Sequence, residues 1–166
     1  AGDSVYVKSD SSDEVVVVPG ALLDKVSKNV LDLRRKWVFT FDKEAVDNIQ
    51  VKTAEYSIVC NRKGNFWRLS EPISHLADLE KIKEILGKLK NLQIDRTDFI
   101  TEESSDLVRF GLDTPQYIVT INEKGVSQSV MFGHSLDNKV YVKRSDEPTV
   151  FFLKDIILAD LSKKPN

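Results

Sequence analysis

The two ends of the chain carry the same segment, and this repeat constrains the fold more than any other feature. Val5-Tyr6-Val7-Lys8 recurs as Val140-Tyr141-Val142-Lys143, 135 positions later (140 − 5). The offset holds without a gap through the residues that follow. Val15, Val16, Val17 and Val18 fall on Val150, Phe151, Phe152 and Leu153; Leu22 and Leu23 fall on Ile157 and Leu158, and Val26 on Leu161. A sequence period marks repeated supersecondary units, each of which needs a neighbour to cover its apolar face. The expectation is a single α+β fragment of a larger repeat protein, 1–166, that opens midway through one repeat and closes near the same point of the next.

Each copy of the segment reads as strand, turn, strand, helix. Residues 5–8 form a short strand and 9–13 a polar turn. The β-branched run 15–18 has the continuous apolar character of a strand covered on both faces. Pro19-Gly20 breaks it, and Leu22, Leu23 and Val26 then follow at helical spacing. Two hairpins lie between the ends. Asn61-Arg62-Lys63-Gly64 and Asn122-Glu123-Lys124-Gly125 each read as a type I turn closed by a left-handed glycine. Residues 117–121 are fairly apolar on both faces, so their strand is expected to be central or sandwiched. Leu79, Ile82, Ile85, Leu86 and Leu89 form one stripe of a helix over 78–90, with Glu84 and Lys88 paired on its outer side. Gly87 inside that helix predicts close packing against another element. A shorter helix is expected over 104–110, ended by Gly111. The fold class is thus α+β: short antiparallel or mixed sheets with packing helices, in two similar lobes of about 37–93 and 1–30 plus 103–166.

Composition excludes several functions. A formal net charge of −2 among 30% charged residues leaves no basic surplus for nucleic acid. No apolar run approaches the roughly 20 residues that span a bilayer. One cysteine, Cys60, cannot close an internal disulfide, and its apolar surroundings read as a buried structural thiol.

The search for chemistry finds no catalytic residues and no cofactor motif. His75 and His134, the only histidines, are the candidates for a metal. Neither has a partner at ligand spacing, so both read as loop histidines, His134 in a turn. Asp10, Asp13 and Glu14, with Asp146 and Glu147 in the equivalent turn, lack the glycine and terminal glutamate of a calcium loop. No Gly-x-Ser-x-Gly elbow occurs, and the seven glycines are scattered. The candidates for a partner surface are Trp37, with Arg34 and Arg35 before it, and Trp67. Trp67 alternates with Leu69 and reads as core unless exposed.

Trp67-x-Leu69-x-x-Pro72 leads into Ala77-Asp78 and the amphipathic helix, and Phe110-Gly111-Leu112-Asp113-x-Pro115, Phe132-Gly133 and Val140-Tyr141-Val142 follow in order. This succession resembles the bacterial domain of unknown function 4340, a repeat-containing family. Leu33-Arg34-Arg35-Lys36 and Phe39-x-Phe41-Asp42 resemble the stretch joining one repeat to the next. The resemblance implies an extracytoplasmic domain, a membrane anchor outside these residues, and envelope or ABC-type transporter proteins as partners. It implies no catalytic residues. The functional expectation is a non-catalytic interaction domain. The alternative is a hydrolase or small-ligand domain whose site is assembled from residues distant in sequence. The opening strands are expected to pair with the C-terminal sheet of the same chain, an edge-paired dimer being the other outcome.

Overall fold

The computed structural model describes residues 3–28, 33–94, 99–101 and 106–161. The chain divides into two units, 1–35 and 36–166. The first unit has strand β1 (Ser4–Lys8), strand β2 (Val15–Pro19) and helix α1 (Ala21–Val26). β1 and β2 are antiparallel, with Ser4 opposite Pro19 and Lys8 opposite Val15. The serines between them satisfy the turn locally: the Ser11 amide donates to Ser9 Oγ and the Glu14 amide to Ser12 Oγ. Lys8 Nζ meets Asp13 Oδ1 at 3.0 Å, which accounts for one of the acidic turn residues. This is the strand, turn, strand and helix order read from the sequence.

The second unit opens with four strands and a helix: β3 (Val46–Lys52), β4 (Ser57–Lys63), β5 (Phe66–Glu71), β6 (His75–Leu76) and α2 (Leu79–Lys90). After β7 (Phe99–Thr101) and a 3-10 turn over Val108–Phe110 the plan recurs. Its strands are β8 (Tyr117–Glu123), β9 (Val126–Leu136), β10 (Lys139–Arg144) and β11 (Val150–Lys154), followed by α3 (Ile156–Leu161). All are antiparallel neighbours in one nine-stranded sheet, ordered β6-β5-β4-β3-β8-β9-β10-β11-β7. The class is α+β, as read. The two lobes are successive halves of one sheet, joined where β3 pairs with β8. β8 is central, and Val119 and Ile121 on it are fully buried.

Three local readings change. Among the described residues the opening strands do not pair with the C-terminal sheet, as the grouping of 1–30 with 103–166 expected: β1 and β2 form a two-stranded sheet of their own. The reason is that β10 is already flanked by β9 and β11, and the outer side of β11 is taken by β7. The hairpin turns are also tighter than a type I loop. β8 and β9 pair through Glu123 and Val126, leaving Lys124 and Gly125 as a two-residue turn with both φ positive, at 49° and 82°. That turn matches strand twist where a type I turn splays it. The strand β9 then runs through Leu136, which places His134 in a strand rather than a turn.

The helix over 78–90 forms where the stripe placed it. Asp78 caps it, accepting from the Glu80 and Lys81 amides at 2.9 and 3.2 Å. Ile82, Leu86 and Leu89 are buried. They join Ile49 and Cys60 of the sheet in one core. On β3, Asn48 lies on the other face and bonds both Asn61 and Asn122 across the strands, at 2.9 and 2.7 Å. The helix expected over 104–110 is a 3-10 turn in its described part, and 102–105 lie outside the described residues. Gly111 ends it at φ 64°, the left-handed cap the sequence called for.

Gly87 departs from its reading. Among the described residues a Cβ there meets only Lys43 Nζ, at 3.9 Å, and no backbone packs closely against it. Gly87→Ala therefore removes a backbone-entropy cost with no clash, and a gain of about 1 kcal/mol is expected. Urea denaturation checks it: the midpoint rises with the slope unchanged.

Candidate functional site

Three features of the surface stand out. The first is the β1–β2–α1 unit. Tyr6 is 76% exposed, Val17 58% and Val16 50%, and Leu22, Leu23 and Val26 on α1 are exposed as well. The copy 135 positions on is better covered: Val7, Val15, Val16 and Val26 are exposed, whereas Val142, Val150 and Phe151 are at 0% and Leu161 at 7%; Tyr141 and Phe152, the equivalents of Tyr6 and Val17, are half-buried. The run 15–18 reads as covered on both faces, yet Val15, Val16 and Val17 are exposed and only Val18 is half-buried. Val140 and Val142 of β10 enter the main core with Ile157 and Leu161 of α3, and β9 and β11 take both edges of the strand. Among the described residues β1 has only β2 beside it.

The second feature is Trp37, 42% exposed in the second unit. Its backbone holds a short bridge to Gln93, flanked by Val38 N donating to Leu92 O and Ile94 N to Lys36 O, at 3.1 and 2.8 Å. Its carbonyl accepts from Arg144 Nη1 at 2.6 Å. The backbone that carries the indole is thus held on both sides, by the Gln93 bridge and by Arg144. Arg34 is half-buried and Arg35 exposed, both in the first unit. Trp67 is buried at 4% in the main core, which removes it from any partner surface. His75 and His134 are both exposed, on β6 and β9. Among the described residues no three His, Cys, Asp or Glu side chains converge to hold a metal ion.

The third feature is a cavity of about 260 Å³ under α2. Ile49 and Val51 of β3 and Ile58 and Cys60 of β4 form its floor. Ile82, Ile85 and Leu89 of α2 wall one side, and Ile157 and Leu161 of α3 the other. Its polar side chains are Lys81, Glu84 and Lys88, three positions of one helix face. Glu84 meets Lys81 at 3.3 Å and Lys88 at 2.9 Å. The hydrogen bonds from Lys88 and Lys81 hold its carboxyl below the usual range. No sequence motif announces this cavity, because its residues come from two strands and two helices.

Burial pushes the Cys60 thiol above its ordinary value. The folded form then holds the proton more tightly than the unfolded chain, so this contribution to stability is full below the unfolded thiol pKa and is lost as pH rises through the folded one. The urea midpoint is expected to fall on going from neutral pH to about pH 10 by more in the native chain than in Cys60→Ala. Iodoacetamide is expected to label folded Cys60 roughly tenfold more slowly than the unfolded thiol.

These features define an antiparallel α+β repeat chain with an uncovered apolar repeat unit and a lined cavity. The chain belongs to the family described as Domain of unknown function (DUF4340), whose model matches residues 1–96 and again residues 67–166. The two overlapping matches agree with the internal repeat. No curated protein and no solved structure matches it. Among the described residues no helix is long and apolar enough to cross a membrane.

Proposed function

We propose that this chain is a non-catalytic, extracytoplasmic interaction domain of a bacterial envelope protein, and that it binds its partner on the β1–β2–α1 unit. The observation that supports this is the contrast between the two copies of the repeated segment: Val16 is 50% exposed and its equivalent Phe151 is fully buried. A two-stranded sheet with a short helix is marginal in water by itself. Exposed valines on a strand with an open edge favour an added strand, whose main-chain bonds give affinity and whose alternate side chains enter the apolar face. Extracytoplasmic location and an ABC-type transporter partner rest on the family resemblance alone.

The test is site-specific photo-cross-linking in native membranes, with the reactive group placed at Tyr6, at Val16 or, as control, at Lys83 on the outer face of α2. Defined adducts are expected from Tyr6 and Val16 and none from Lys83. Transporter subunits among them support the full reading; another envelope protein keeps the interaction and replaces the transporter. Equal labelling from all three positions contradicts the proposal.

A further inference from the structure

We propose that the sheet face opposite α2 binds an anionic saccharide, its hydroxyls on a row of side-chain amides and its anionic groups at Lys63 and Arg68. The site is an open depression of about 560 Å³ over β3, β4 and β5. It lies on the second unit and uses no residue of the strand-addition surface.

The hydroxyls follow from the amides. Asn122 Nδ2 donates to Asn48 Oδ1 at 2.7 Å, Asn48 Nδ2 to Asn61 Oδ1 at 2.9 Å, and Asn61 Nδ2 to Ser70 Oγ at 2.8 Å. The row ends where Ser70 Oγ donates to the Val59 carbonyl at 3.2 Å. Asn48 and Asn61 each spend one N–H and one lone pair in the row and keep one of each. A donor fixed beside an acceptor matches a sugar hydroxyl, which gives one bond and accepts others. Amides already oriented by their neighbours lose little freedom on binding. The row runs from β8 through β3 and β4 to β5. Three strand spacings make roughly 14 Å, longer than one sugar ring and suited to a short chain.

The anion follows from the cations on β4 and β5. Arg62, Lys63 and Arg68 line the depression with one carboxylate, Asp47, so the lining carries two net positive charges. Arg68 Nη1 donates to Ser74 Oγ at 2.9 Å. Arg62 donates to the Gly64 carbonyl at 3.2 Å and to the Glu44 carbonyl. These acceptors are neutral, so they hold the guanidinium groups without cancelling their charge. Among the described residues no carboxylate pairs with Arg62, Lys63 or Arg68. Asp47 is engaged at the β8–β9 turn, where its Oδ2 accepts from the Lys124 amide at 3.1 Å. The remaining guanidinium and ammonium donors are free for an anionic oxygen group, to which hydrogen bonds are charge-assisted. A neutral saccharide would leave these charges unmatched, and a bare anion would leave the amide row unused.

The experiment is a titration of the nitrogen-15 labelled full chain with trigalacturonate, sulfated maltotriose, maltotriose and inorganic phosphate, followed at the side-chain amides of Asn48 and Asn61 and at Arg68 Nε. Saturable shifts at all three groups are expected with the anionic chains, and the tighter of the two identifies the anion as carboxylate or sulfate. Maltotriose is expected to bind about tenfold more weakly, and phosphate to move Arg68 while leaving Asn48 in place. The double variant Lys63→Gln with Arg68→Gln should bring the anionic chains down to the affinity of maltotriose. Both residues are exposed, so the fold is kept. The proposal is overturned by an absence of saturable shifts with both anionic chains, by maltotriose binding as tightly as they do, or by phosphate alone reproducing the shifts at Asn48 and Asn61.

Discussion

Replacing Arg144 by methionine is expected to lower the stability of the second unit by about 3 kcal/mol, the scale set by breaking a buried charge pair from one side. Arg144 is 3% exposed at the end of β10. Its guanidinium donates to the Trp37 carbonyl at 2.6 Å and lies in ion-pair contact with Asp146 Oδ1 at 3.4 Å and with Glu147 Oε2. Methionine keeps most of the volume, so the loss reports the fork of donors and not a cavity. Glu147 is partly exposed and can rehydrate, which keeps the loss near the lower end of the range. Arg144→Lys is not expected to restore stability, because one ammonium cannot match a planar fork directed at a carbonyl and two carboxylates. Trp37 supplies its own readout. With its carbonyl released, its emission should shift in the folded chain before any unfolding.

Gly133→Ala carries the second large effect. A Cβ on Gly133 of β9 would stand well inside contact distance of the Phe110 carbonyl oxygen, and 3.1 Å from the carbonyl carbon and oxygen of Gly111. The obstacle is backbone, which has no rotamer to give. Gly111 faces the same constraint in reverse, since its own Cβ would meet the His134 ring, with Cγ and Nε2 at 2.6 Å. Its φ of 64° adds the left-handed penalty. The pair lets the 3-10 turn sit directly on the sheet, placing Phe110 and Leu112 against Val150 in a small second core. A loss of about 3 kcal/mol is expected for Gly133→Ala, at the upper end for overpacking. Urea denaturation of Gly133→Ala beside His134→Ala checks it. The histidine is exposed, and its removal should change stability by less than about 0.5 kcal/mol.

Much of the fold was legible because its signals are local. The stripe on α2, the left-handed Gly111 and the hairpin positions each depend on a few neighbouring residues. The repeat was legible at longer range because it is a comparison of the chain with itself. What was not legible depends on convergence. Nothing local in the sequence singles out Arg144, and only the arrival of Trp37, 107 positions earlier, makes it a buried anchor. The partner-surface candidates split for a similar reason. Trp37 and Trp67 both lie in extended segments, but only Trp67 faces the core that α2 covers. The valines at 15–18 were legible as a strand. Their cover was inferred from composition, and in this chain it lies outside the described sheet partners.

Hydrogen exchange resolved by residue, on the full chain, tests the central claim most directly. The repeat supplies its own control, since each amide of 5–8 and 15–18 has an equivalent at 140–143 and 150–153. The account predicts fast exchange in the first set and slow exchange in the second, with the first set slowing once the cross-linked partner is bound. Equal protection of the two sets in the isolated chain would contradict it, because β1 and β2 would then need no cover from a partner.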